Sequence, residues 1–123
     1  MAQEKALTEL IARIEQDVSG VIATAAVDLE SGMTLASKSN RADFDLTVAS
    51  AYNSELVKQK LKIMQALKLK SELEDMLLTL TDQIHLIKVL PNKTSFLYVA
   101  VDRSATNLAI LRSAVNKHSS QMA

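Results

Sequence analysis

The side chains of this 123-residue chain that could do chemistry are few: His85 and His118, the acids Glu72, Glu74 and Asp75, and serines such as Ser31 and Ser104. A metal site needs further nitrogen or sulfur donors at helical or hairpin spacing from a histidine, and none stands near either one. Acyl transfer needs a serine, a base and its orienting acid brought together, whereas Ser31 and Ser104 already have a turn and a helix start to explain them. The chain has two glycines, and neither opens a GxxxxGK or GxGxxG phosphate cradle. On a strand Glu72 and Glu74 share a face while Asp75 points away, which is the placement of charges that guard a strand end against mispairing. His85 reads as a strand-surface residue, and His118 as a side chain that helps a helix C-terminus. The expectation is a chain with no catalytic residue, no metal and no cofactor.

Composition sets the frame for those residues. One domain with one core fits the length, and 48% hydrophobic with 23% charged residues is ordinary for a folded domain. With no cysteine there are no disulfides, thiolate nucleophiles or cysteine-bound zinc. No leader pattern opens the chain and no run of about 18 apolar residues occurs, so a cytoplasmic protein without a membrane span is expected. Fourteen basic and fourteen acidic residues cancel, which argues against the broad positive field of a nucleic-acid binder, and the few aromatics offer no base-stacking platform. The charge is unevenly placed: Lys58, Lys60, Lys62, Lys68 and Lys70 lie in a stretch without acids, directly followed by Glu72, Glu74 and Asp75. Two readings stand for the lysines, a solvated helix face or a surface for an acidic partner.

Periodicity supplies the elements. Leu7, Leu10, Ile11, Ile14 and Val18 share one face of a first helix over about residues 3–18, ended by Ser19-Gly20. Val21 to Val27 and Met33 to Ser37 read as a hairpin turning at Gly32. Three strands follow the central part of the chain: Leu73 to Thr81, Ile84 to Leu90 and Phe96 to Val101. Their two largely apolar faces require helices on both sides of the sheet. Asp102 or Ser104 can cap a last helix whose buried face holds Leu108, Leu111, Ala114 and Val115.

The element that dominates the chain is a long helix, Asp43 to Lys70, with Asp43 as its N-cap. Phe44, Val48, Tyr52 and Leu56 form one apolar stripe in its first half, and Leu56, Val57, Leu61, Ile63, Met64 and Leu67 spread over about 160° in its second. That arc exceeds what one sheet covers. Either the core thickens at that end, or half of the helix meets its own sheet and half another chain.

The order α-β-β-α-β-β-β-α, with the entry Val18-Ser19-Gly20-Val21, the hairpin Ala26-Val27-Asp28-Leu29-Glu30-Ser31-Gly32-Met33-Thr34-Leu35-Ala36 and the ending Leu97-Tyr98-Val99-Ala100-Val101-Asp102-Arg103-Ser104-Ala105-Thr106-Asn107-Leu108-Ala109, resembles the roadblock/dynein light chain family. The likeness covers nearly the whole chain and lies in order and lengths more than in any one motif. It implies an α+β, profilin-like three-layer α/β/α sandwich around a five-stranded, mainly antiparallel sheet. It further implies a homodimer in which the strand after the long helix pairs with its copy while the long helices pack together. Leu56, Ile63, Met64, Leu67, Leu73, Met76, Leu78 and Leu80 would form that interface, with the lysine-rich helix end attracting Glu72, Glu74 and Asp75 across it. Implied partners are a small Ras-like GTPase or a motor or scaffold complex, bound by a non-enzymatic regulatory module. A small-molecule sensor with a pocket between helix and sheet is the alternative, but strand faces of Leu, Ile, Val and Ala offer few convergent polar groups.

Overall fold

The computed structural model describes residues 2–120. Helix α1 (Ala2–Asp17) leads into the hairpin β1 (Val21–Asp28) and β2 (Thr34–Ser39). The long helix α2 (Leu46–Ala66) follows, then β3 (Asp75–Thr79), β4 (Gln83–Val89), β5 (Ser95–Asp102) and α3 (Leu108–Ser119). The five strands form one antiparallel sheet in the order β2-β1-β5-β4-β3, so β2 and β3 are its edges. Element order and sheet are those expected from the sequence.

Alternation along the strands splits the core into two layers. Ala26, Ile84, Leu86, Leu97, Val99 and Val101 face α1 and α3, whose Leu7, Leu10, Ile14, Leu111 and Val115 pack on them. Ala23, Ala25, Val27, Ile87, Phe96, Tyr98 and Ala100 face the α2 side. Strand β5 lies between β1 and β4, and every residue before Asp102 is buried, which is why its sequence is an unbroken apolar run.

Boundaries differ from the sequence expectation where a local hydrogen bond decides. The N-cap of α2 is Asp45, whose carboxylate accepts from Val48 N at 3.1 Å, and not Asp43. Asp43 is held instead by the Arg41 guanidinium through Nε at 3.2 Å and Nη2 at 3.1 Å, so its oxygens are turned away from the helix. The helix stops at Ala66 rather than reaching Lys70, because Lys68 takes a left-handed φ of 57° and Leu69 N bonds back to Met64 O at 3.0 Å. That is the backbone pattern of a Schellman stop with lysine where glycine is usual. Asn107 caps α3 through Ile110 N at 2.9 Å. Asp102, expected as a cap together with Ser104, bonds Ser104 N and Oγ in the preceding turn. Strand β3 is shorter than expected, Asp75–Thr79, leaving Leu73 before it and Leu80 after it.

Candidate interaction surface

Helix α2 does not rest on the sheet through its apolar stripe. The side chains it buries are Leu46, Ser50, Ser54 and Val57. Two of these are serines, and both are hydrogen bonded: Ser54 Oγ donates to Leu29 O at 2.5 Å, and Thr34 Oγ1 donates to Ser50 Oγ at 3.1 Å. Small side chains on both partners bring the helix close to β1 and β2. Ala23 and Ala25 are fully buried beneath it, and a β-carbon on Gly32 would lie 3.4 Å from Ala51 Cα. The alanines that weaken β1 as a strand are therefore what seats α2.

The apolar stripe instead looks outward. Val48 is 50% exposed, Tyr52 73%, Leu56 37%, Ile63 40% and Leu67 63%. At 100° per residue these five fall within about 100° of arc, a continuous band down the helix. Of the expected stripe, only Phe44 turns inward, packing its ring on Tyr98 and His85. Leu61 and Met64 leave the band for a groove at the C-terminal end of α2. So the wide arc does not thicken the core; it divides between a seat and an uncovered face.

Strand β3 is the second uncovered feature. Among the described residues it pairs only with β4, leaving its outer edge unpaired, and Met76 and Leu78 point to the α2 side half-buried, as does Leu73 just before it. Leu80 lies past the strand, 43% exposed, in the turn where its N–H bonds Gln83 O. The only charge on β3 is Asp75, whose side chain is 5% exposed and gripped by Arg112 of α3 at 2.8 Å through both Nε and Nη2. The opposite edge, β2, is polar toward its end, Ser37, Lys38 and Ser39 all being exposed. An unguarded apolar edge is the kind that pairs with another strand.

The acids do not guard that edge or wait for the lysines. Glu72 and Glu74 precede β3, Glu72 pairs with Lys93, and Arg112 faces both Asp75 and Glu74, which raise its pKa. The expected attraction between this acidic group and the lysine-rich end of α2 thus meets acids already engaged within the chain.

The histidines are more deeply built in than expected. His85 is half-buried, with Nδ1 3.0 Å from the Tyr98 hydroxyl and Nε2 2.7 Å from Gln83 Oε1, while its ring meets Tyr98 and Phe44 edge-on. This arrangement suits a neutral ring: Tyr98 donates to Nδ1 and Nε2–H donates to Gln83. Burial lowers the His85 pKa, against the smaller pull of Asp82, and burial pushes Tyr98 up to about 12 despite a hydrogen bond from Asn53. His118 is buried and bonds Asp17 at 2.6 Å, joining the ends of α1 and α3; the bond lowers the Asp17 pKa. Neither is part of a metal cluster, and no three His, Asp or Glu side chains among the described residues converge on one point. No helix among them is long and apolar enough to cross a membrane.

The groove of about 620 Å³ at the end of α2 is floored by Leu61, Met64, Leu73, Leu90 and Pro91 and rimmed by charged and polar groups including Lys88 and Asn116. It lies at the margin of the sandwich, not in its interior.

A five-stranded antiparallel sheet in this order, with one long helix on one face and the two terminal helices on the other, is the Roadblock/LC7 fold. The chain superposes on MglB of Myxococcus xanthus with a TM-score of 0.85 at 15% identity, over 98% of this chain and 86% of that one. A Roadblock/LC7 domain from Streptomyces avermitilis gives 0.79 at 12% identity, over 92% of this chain and 91% of the other. An MglB solved in a tetrameric arrangement gives 0.78 at 11%, over 94% and 83%. The sequence matches no family model and no curated protein.

Proposed function

We propose that the chain is a non-enzymatic regulatory module that works as a homodimer and binds a partner protein, a small Ras-like GTPase or a complex containing one. The observation that carries self-association is the pairing of an outward apolar stripe on α2 with an unguarded apolar edge at β3. A two-fold operation satisfies both at once, since β3 meets its own copy along the edge while the stripes of two α2 helices cover each other. Tyr52, Leu56, Ile63 and Leu67 then lie between helices, and Met76 and Leu78 beside the joined strands; Met64 and Leu73 flank them. The tetrameric arrangement of an MglB of the same fold supports a surface built to self-associate. The GTPase as partner rests on the resemblance to roadblock proteins, which regulate or hold such GTPases.

Light scattering on the wild type and on Met76→Lys tests the assembly. A wild-type mass near twice 13.4 kDa, reduced or lost to aggregation in the variant, is expected. A folded wild-type monomer at high concentration refutes it. Binding of purified small GTPases by the dimer then tests the partner. Should the chain stay monomeric, the groove beside Leu61 and Met64 favours the ligand-sensing reading, which a thermal-shift screen with small apolar acids and amines examines.

A further inference from the structure

We infer that the end of α2 and the turn beyond it form a docking tip for an anionic lipid surface. Lys62, Lys68 and Lys70 are exposed there, with half-buried Lys60 beside them, and none forms an ion pair among the described residues. The acids nearest in sequence are engaged: Glu72 by Lys93, and Asp75 by Arg112, which Glu74 also faces. The tip therefore keeps its charge although the chain as a whole is neutral.

Helix stabilisation does not account for these cations. The last turn of α2, where a positive charge would offset the helix dipole, contains no basic residue, and Lys68 and Lys70 lie beyond it. Their positions follow from the left-handed Lys68, which reverses the chain and leaves Leu69, 49% exposed, between the two lysines. An exposed leucine between two exposed lysines, Leu69 between Lys68 and Lys70, matches the boundary of a bilayer, where acyl chains take the apolar group and headgroup phosphates the ammoniums. Lys62 stands roughly 6 Å along the axis from the end of the helix, within a Debye length of a surface touched by the tip. An acidic protein surface could take the lysines but gives Leu69 no reason to stand exposed between them, so lipid is the occupant the pattern favours.

Each lysine close to an anionic surface raises partitioning about five-fold, so losing the attraction of three removes on the order of a hundred-fold, and reversing their charge removes more. The experiment is co-sedimentation of the full chain with vesicles of phosphatidylcholine alone and with vesicles also containing phosphatidylserine. Wild type is expected to partition onto the second only, and less at high salt. Lys62→Glu/Lys68→Glu/Lys70→Glu should weaken this by at least on the order of a hundred-fold, and Leu69→Ser about ten-fold. Leu67 is left unchanged because it belongs to the outward stripe of α2. Absence of wild-type binding to the anionic vesicles overturns the inference. So does equal affinity for soluble polyglutamate together with indifference to Leu69→Ser, which assigns the tip to an acidic protein. Light scattering on the same variants keeps this separate from self-association: loss of lipid binding at unchanged mass is expected of the triple variant. A monomeric wild type that still binds the vesicles would refute the dimer alone.

Discussion

Replacing Gly20 by alanine gives the sharpest test of the packing. Gly20 has φ of 75°, and a β-carbon there would lie under 3.0 Å from Ala105 Cβ in the turn between β5 and α3. That carbon is fixed to the backbone and cannot swing aside. Gly32 has the same φ of 75°, but its β-carbon would meet Ala51 Cα at 3.4 Å, an ordinary contact. The left-handed backbone costs a β-carbon about 1–2 kcal/mol at either site. Forced overpacking adds about 1–3 kcal/mol at Gly20 only. Gly32→Ala should thus cost about 1–2 kcal/mol and Gly20→Ala about 2–5 kcal/mol. Urea unfolding followed by far-ultraviolet circular dichroism measures both, at one fixed protein concentration because self-association would otherwise move the midpoint. A double-mutant cycle isolates the contact: Gly20→Ala/Ala105→Gly should recover about 1–3 kcal/mol beyond the effect of Ala105→Gly alone. Equal costs at the two glycines, or no recovery in the cycle, would refute the claim that Ala105 is what makes Gly20 obligatory.

Other outcomes follow from single hydrogen bonds and backbone angles. Lys68→Gly relieves a left-handed side chain and should stabilise the fold by about 1 kcal/mol in the same urea assay. Asp45→Ala should cost about 1 kcal/mol and Asp43→Ala clearly less, since only Asp45 accepts from the helix. His85 has a lowered pKa in the folded chain, so the unfolded chain binds more protons near pH 6; stability is present above about 6.5 and declines as pH falls through the folded value, a slope that His85→Gln should remove from thermal melts. Tyr98 runs the other way: raised to about 12, it keeps its contribution below pH 10 and loses it as pH rises toward 12, which Tyr98→Phe should flatten.

Much of this fold can be read from the chain because its patterns are local. The unbroken run in β5 and the glycine turn at Gly32 each name their element, and their order leaves the sheet few ways to assemble. The faces of α2 escape such reading for a physical reason. Hydrophobic periodicity presumes that the apolar stripe is the buried one, yet Ser50 and Ser54 are buried through hydrogen bonds to Thr34 and Leu29 while Val48 and Tyr52 are exposed. An anomaly was visible in the width of the arc on Leu56, Val57 and Ile63, although not which side faced the sheet. The caps escape for a similar reason: Asp43 and Asp45 are equivalent in sequence until Arg41 takes one of them. Likewise, nothing in the spacing of Glu72, Glu74 and Asp75 reveals that Lys93 and Arg112 come from distant positions to hold them.

The serine seat of α2 also bears on how such an assembly would live in time. Because the helix is fastened to its own hairpin by Ser50, Ser54 and the buried Val57, its attachment does not depend on what lies against Tyr52 or Ile63. Subunits could then part without unmaking the helix, and the rate of exchange between copies would be set by the outward stripe and the β3 edge rather than by unfolding. Mixing two differently labelled populations would show exchange running faster than global unfolding, and a chain so fastened could trade one copy of itself for a related subunit while staying folded.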